Sequence, residues 1–270
     1  MIEVRYENQL GNNLFQYCMG RILAEELGFY LKPCNIEGFP FTADLVEGVR
    51  FDKGHFKTVG CCAEYGGMND ETVDLNIILA NEGYRKVIVS GFFQRYEHFR
   101  WCKHRVKKWL YQQIETSQKK EDLIIHVRLG DYSILHNEVD VIYKDGVKRG
   151  GHLVDYGYYL DAIKESGSQN ITIVTDEPSH PFIHKLKDKI VENCSVISGS
   201  MMEDFLLIRS FNKICISKST FAWWAAFLSE AREIYMPRTP WGVWSSDNTS
   251  LYVEDESRYR VLDASNLGDI

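Results

Sequence analysis

The stretch LIIHVRLGDY at 123–132 decides the reading of the whole chain. Five residues, Leu123 to Val127, form an apolar run short enough for one buried strand. Polar and turn-forming residues follow at once: Arg128, Gly130, Asp131 and Tyr132. A buried strand that ends in charge and glycine is the pattern of a parallel α/β sheet, whose ligands gather beyond the carboxyl ends of the strands. His126 and Arg128 are two residues apart and share one face of an extended segment.

Working outward, the same pattern recurs. Toward the N-terminus, Ile2–Tyr6 and Lys86–Ser90 read as strands, and Asn13–Leu27 and Glu97–Gln113 as helices, with Gly28 just past the end of the first helix. Toward the C-terminus, strands are expected at Asn170–Thr175, Ser195–Ile197, Lys213–Ser217 and, last, Glu233–Met236. Helices between them are expected at Tyr158–Glu165, Phe182–Val191, Met202–Ser210 and Thr220–Ser229. Alternation of this kind makes βαβ units. The polar, aperiodic TSQKKED at 116–122 reads as a linker, which divides the chain into 1–117 and 118–270.

Composition narrows the function. The chain has 270 residues, 44% hydrophobic and 26% charged, with a formal charge of −7. That balance is the reverse of what a nucleic-acid backbone attracts, so nucleic acid is not an expected partner. MIEVRY at the start reads as a strand rather than a leader, and FAWWAAFL at 221–228 is too short to span a bilayer. Seven cysteines without a C-x-x-C pair read as reduced thiols, and the chain as cytoplasmic, with peripheral membrane contact left open.

Polar clusters follow five of the expected strands. NQLGNNLFQYCMG (8–20) offers Gly11 for a tight turn, the amides of Asn12 and Asn13, and a helix N-terminus suited to an anion. Arg128 presents a guanidinium fork suited to diphosphate oxygens, against the alternative of a salt bridge to Asp131 that braces the turn. TDEPS (175–179) places Asp176 and Glu177 either as acceptors for the N1 and N2 hydrogens of a guanine or as helix caps. SKSTFAWWAAFL (217–228) sets hydroxyls and Lys218 before an apolar helix, where Ser219 or Thr220 is a candidate cap. Trp223 and Trp224 read as core. HNEVDVIYKDGVKRGG, from 136, reads as a hairpin around Asp145 and Gly146, either a surface ribbon or a source of aromatic and polar residues that help select a ligand.

Taken in order, GNNLFQ, SGFFQ (90–94), HVRLGDY, YYLDAI (158–163), TDEPS and ISKSTFAWWAAFL resemble the α-1,2-fucosyltransferase family. The family signature runs G-G-L-G-N-Q-M-F-Q-Y-A, H-x-R-R-G-D-Y and S-S-F-S-W-W. The resemblance implies a GT-B-like α/β fold, two Rossmann-like halves with the active site in the cleft between them. It implies an inverting transfer of fucose from GDP-fucose to a sugar hydroxyl of an oligosaccharide or glycan acceptor. By similarity Arg128 grips the β-phosphate, while His126 and Asp176 or Glu177 lie near the nucleoside. Ser217, Ser219, Thr220 and Phe221 line the donor, and Asn12 belongs with them. Asn13, Gln94 and Tyr132 face the acceptor, and Asp131 is the candidate base, with Glu138 and Asp140 as alternatives.

The chain departs from the pattern at Leu129, where the family has a second arginine, and at Lys218, where asparagine is common. The sequence holds no Asp-x-Asp pair, so no metal is expected to share the work. Two competing readings share these residues: a GT-B enzyme with another nucleotide sugar, and a binding protein without turnover.

Overall fold

The computed structural model describes residues 1–39, 42, 56–61, 86–111, 120–131, 153–239, 244 and 251–264. The chain forms two compact units, Met1–Gln113 and Ile114–Ile270. Both are built on parallel strands alternating with helices, the α/β class that the apolar runs imply.

In the first unit, β1 (Ile2–Val4), β2 (Phe56–Cys61) and β3 (Lys86–Gly91) make a parallel sheet in the order β1-β3-β2. Helix α1 (Leu10–Leu27) ends at Gly28, whose φ of 63° lets its backbone fold back onto the last turn. The helix starts three residues before the expected Asn13. The turn ahead of it is made by Asn8 at φ 64°, and Gly11 lies inside the first helical turn instead of making that turn. Asparagine tolerates the left-handed region better than most residues, which is why it can take the role assigned to glycine. Glu97–Gln113 is not one helix but two, α2 (Glu97–Arg100) and α3 (Lys103–Tyr111), separated at Trp101 and Cys102.

The second unit carries β4 (Lys120–Val127), β5 (Asn170–Thr175), β6 (Asn193–Ile197), β7 (Phe211–Cys215), β8 (Glu233–Arg238) and β9 (Tyr259–Asp263). All pair in parallel, in the order β6-β5-β4-β7-β8-β9. Counted from β4, that is the 3-2-1-4-5-6 order of the Rossmann fold. Helices α4 (Tyr156–Ser166), α5 (Pro181–Lys189), α6 (Met201–Arg209) and α7 (Thr220–Phe227) alternate with these strands. β4 is the central first strand, and its last five residues are all buried. It begins at Lys120, so the last three residues of the expected linker belong to the sheet. β8 is not the last strand, because β9 follows it at the edge. Its exposed, charge-bearing sequence YRVLD hides the strand from a search for apolar runs.

The core of the second unit includes Ile125, Val127, Leu129, Tyr158, Ile173 and Cys215. Trp223 and Trp224 are buried, as read, and the Trp223 indole N–H donates to Leu251 O at 2.8 Å. Cys18, Cys34, Cys102, Cys194 and Cys215 are all free thiols. No helix of the described residues is long and apolar enough to cross a membrane.

Gly20 lies where α1 packs closely on β1. A Cβ built there collides with Val4 Cγ2, so in Gly20→Ala either the Val4 side chain or the helix must shift. The expected cost is about 1–3 kcal/mol, typical of overpacking. It is read as a lower midpoint in chemical denaturation, and an unchanged midpoint contradicts this packing.

Candidate active site

Three strand ends of the second unit converge. The chain runs from β4 to β5 and β6 on one side, then crosses back to β7 on the other. The switch point of the sheet therefore lies between β4 and β7, where ligands of this topology bind. Beyond the carboxyl end of β4 come Arg128 to Asp131; beyond β7 come Ile216 to Ser219; beyond β5 come Asp176 and Glu177.

Side chains from the neighbours satisfy the backbone that leaves β4. Ser217 Oγ accepts the Arg128 N–H at 3.3 Å and lies 2.9 Å from His126 Nδ1. Asp176 Oδ1 accepts the Leu129 N–H at 2.9 Å. Its second oxygen, Oδ2, is 2.7 Å from Arg128 Nη1. On the other side, Arg128 Nη2 donates to Asp131 Oδ1 at 2.8 Å. The guanidinium is thus gripped between two carboxylates, and the bracing salt bridge to Asp131 is present.

Gly130 makes the grip possible. Its φ is +25°, and a Cβ there would stand 2.6 Å from Asp176 Oδ2. No side chain fits between the turn and the carboxylate. Leu129 points the other way and is fully buried in the core. The position where the family carries a second arginine is therefore a packing position in this chain.

His126 is buried, and its ring lies 5.7 Å from that of Phe221, which meets Phe205 at 5.4 Å. Burial, with the charge of Arg128 adding to it, pushes the imidazole down to about 3, so it is neutral at physiological pH. Its ring is an aromatic and hydrogen-bonding surface, not a cation.

Ser219 caps α7 and accepts from the Ala222 N–H at 3.4 Å, which makes Thr220 the first helical residue. The helix after β5 is capped by His180, not by Asp176 or Glu177. Both carboxylates are released from the capping alternative. The Glu177 N–H donates to Thr175 Oγ1 at 3.3 Å, while its carboxylate has no ion pair among the described residues.

In the first unit, two other expected residues meet. Gln94 Nε2 donates to Asn12 Oδ1 at 2.8 Å, joining the segment after β3 to the first turn of α1. Gln16, fully buried, fixes the same two segments: its Oε1 accepts the Glu7 N–H and its Nε2 donates to Gly91 O, each at 3.0 Å. Sequence reading missed Gln16, although a glutamine inside an apolar helix face is itself a signal, because a buried amide needs partners. Phe93, beside Gln94, is held at φ 54°, a strained conformation of the kind that gathers at functional loops. Asn13 Oδ1 is buried without a hydrogen-bond partner among the described residues. Tyr132, Glu138, Asp140, the hairpin around Asp145 and the Cys61–Cys62 thiols lie outside the residues or side chains described.

A parallel sheet in Rossmann order, with a guanidinium and a helix N-terminus at its switch point, places the chain among the doubly wound α/β proteins. The model of "Glycosyl transferase family 11" matches residues 64–260, well over half of the chain, and the chain belongs to this family of fucosyltransferases. None of the curated proteins matches the sequence. Among solved structures, the chain is similar to the α-1,6-fucosyltransferase NodZ soaked with GDP-fucose, at 12% identity and a TM-score of 0.45, over 86% of this chain and 93% of that one. NodZ has also been solved from Bradyrhizobium, where the figures are 13%, 0.46, 86% and 94%. The chain is likewise similar to POFUT1 in complex with GDP-fucose, at 11% identity and a TM-score of 0.47, over 85% and 94%. Likeness at this level assigns neither substrate nor linkage.

Lys218 lies between Ser217 and Ser219 and is buried, which pushes its amine down from 10.5 to about 7. Below pH 7 the folded chain carries a charge that burial disfavours. Between 7 and 10.5 the unfolded chain binds the proton that the folded one has lost, so stability rises with pH across that window. The stability of Lys218→Met relative to the wild-type chain is therefore expected to fall between pH 7 and pH 10.5 in urea melts. A difference independent of pH contradicts the buried amine.

Proposed function

We propose that the protein transfers L-fucose from GDP-β-L-fucose to a hydroxyl of an acceptor sugar, O2 of a terminal galactose, with inversion and without a metal. The observation that carries this reading is Arg128, held at the switch point of a Rossmann-ordered sheet beside the N-terminus of α7. Membership of glycosyl transferase family 11 supports it.

The chemistry follows from the charges. The bond from fucose C1 to the β-phosphate oxygen breaks, both electrons leave with the diphosphate, and an acceptor hydroxyl oxygen forms the new bond from the opposite face. Charge thus grows on the leaving diphosphate, and a preorganised guanidinium stabilises it in the transition state. In this reading Arg128 binds the β-phosphate, with Ser219 and Thr220 at the helix N-terminus beside it. Ser217 holds His126, and His126 and Phe221 offer the nucleoside an aromatic wall. Glu177 is an acceptor for base N–H groups.

Asp131 is the candidate base for the acceptor proton. Its side chain is 55% exposed and Arg128 is its ion-pair partner among the described residues. A diphosphate that takes its place on Arg128 leaves the carboxylate available. Asn12 is assigned to the donor, and Asn13, Gln94 and Tyr132 to the acceptor. Free thiols at Cys18, Cys34, Cys102, Cys194 and Cys215 support a reducing, cytoplasmic location.

The test is turnover of GDP-fucose against galactose-terminated oligosaccharides, with the linkage read by NMR. Transfer to O2 is expected, and neither transfer nor donor hydrolysis would overturn the reading. Arg128→Ala is expected to lose about 3 kcal/mol of transition-state stabilisation, on the order of a hundredfold in kcat. Near-normal turnover by a folded Arg128→Ala protein excludes the assigned role. For Asp131→Asn a reduced rate and an altered pH profile are expected, whereas an unchanged profile and rate remove it as base.

A further inference from the structure

Asp176 and Glu177 are adjacent carboxylates at the end of β5, yet they are differently committed. A carboxylate that reads guanine does so by turning both oxygens, side by side, toward the N1 and N2 hydrogens. Both oxygens of Asp176 are turned instead toward the chain leaving β4: Oδ1 accepts from the Leu129 N–H at 2.9 Å, and Oδ2 is 2.7 Å from Arg128 Nη1. One end of this bridge is backbone, fixed by the sheet, and the other is a guanidinium on a long, rotatable stem. The backbone anchor therefore sets where the guanidinium sits. Gly130 leaves the space, since a Cβ there would stand 2.6 Å from Asp176 Oδ2.

We propose that Asp176 is a positioning residue, which holds Arg128 in the orientation that meets the donor's terminal phosphate, and is not the contact for the base. The proposal rests on the donor reading above. Arg128 acts on the phosphate, and Asp176 acts through Arg128. Asp131 does not duplicate it, because its carboxylate is the more exposed of the two and meets the guanidinium without a backbone anchor.

Asp176→Asn tests this sharply. An amide offers one oxygen acceptor and one NH2 donor, so it cannot accept from both Leu129 and Arg128 on separate atoms. A ligand pair separates the roles: GDP has the terminal phosphate and GMP lacks it, while both carry the same base. By calorimetry the wild-type protein is expected to prefer GDP. Asp176→Asn is expected to lower that preference by about tenfold, the loss of one charge-assisted contact, with GMP affinity unchanged. kcat for GDP-fucose falls with it, while the acceptor KM holds. Arg128→Ala/Asp176→Asn is expected to match Arg128→Ala alone, because a positioning residue has nothing left to position.

Gly130→Ala displaces the same carboxylate without touching its charge and is expected to reproduce the selective loss. It serves as the second variant if Asp176→Asn does not fold. Equal losses of GDP and GMP affinity in Asp176→Asn, additive losses in the double variant, or an intact preference for GDP each overturn the proposal. A wild-type protein that does not distinguish GDP from GMP overturns the donor reading itself, a result the variants cannot produce.

Discussion

The site depends on a requirement of the backbone. A parallel strand keeps its N–H groups paired along its ladder, but the chain must leave the sheet, and the first N–H groups beyond the ladder need acceptors. After β4 these belong to Arg128 and Leu129. Their acceptors are Ser217 Oγ, from the chain beyond β7, and Asp176 Oδ1, from the chain beyond β5. The two strands that flank β4 thus each contribute one side chain, and this brings the three polar segments together. Satisfying two donors builds the constellation on which the proposed function rests.

That requirement also explains which departures the fold tolerates. Leu129 replaces a family arginine without disturbing the site, because the main chain of residue 129 meets Asp176 while its side chain enters the core. A leucine suits that core position, and the loss of a guanidinium there leaves the Arg128 grip intact. Gly130 is bound differently: the space it leaves is filled by the Asp176 carboxylate, and any side chain competes for it.

The sequence made the buried strands legible, since LIIHV, NITIVT and KVIVS are apolar runs bounded by turn residues. It also made legible the order of polar clusters at their carboxyl ends. Details set by tertiary partners were hidden. Residues 10–12 lie in α1, although Gly11 and Asn12 look like turn residues, because the left-handed residue is Asn8. β9 escaped because an edge strand with charged residues has no apolar signature. Asp176 could be read as a cap or a base contact, and only the register of β5 against β4 shows both oxygens facing the Arg128 turn.

A formal charge of −7 on the chain makes an anionic donor look unwelcome, and the local charges sharpen the difficulty. Arg128 is matched by two carboxylates, so these three side chains together carry a net negative charge. Lys218 does not reverse this, because burial moves its amine to about 7 and leaves much of it neutral near physiological pH. On the proposed function, the described residues favour exchange over accumulated positive charge as the source of attraction for a diphosphate. On the donor reading proposed above, a diphosphate that takes the place of the exposed Asp131 carboxylate replaces one anion on Arg128 by another, and it meets a guanidinium that Asp176 already holds. The cost of organising the cation is met in folding, by hydrogen bonds that also close the end of β4, before any donor arrives.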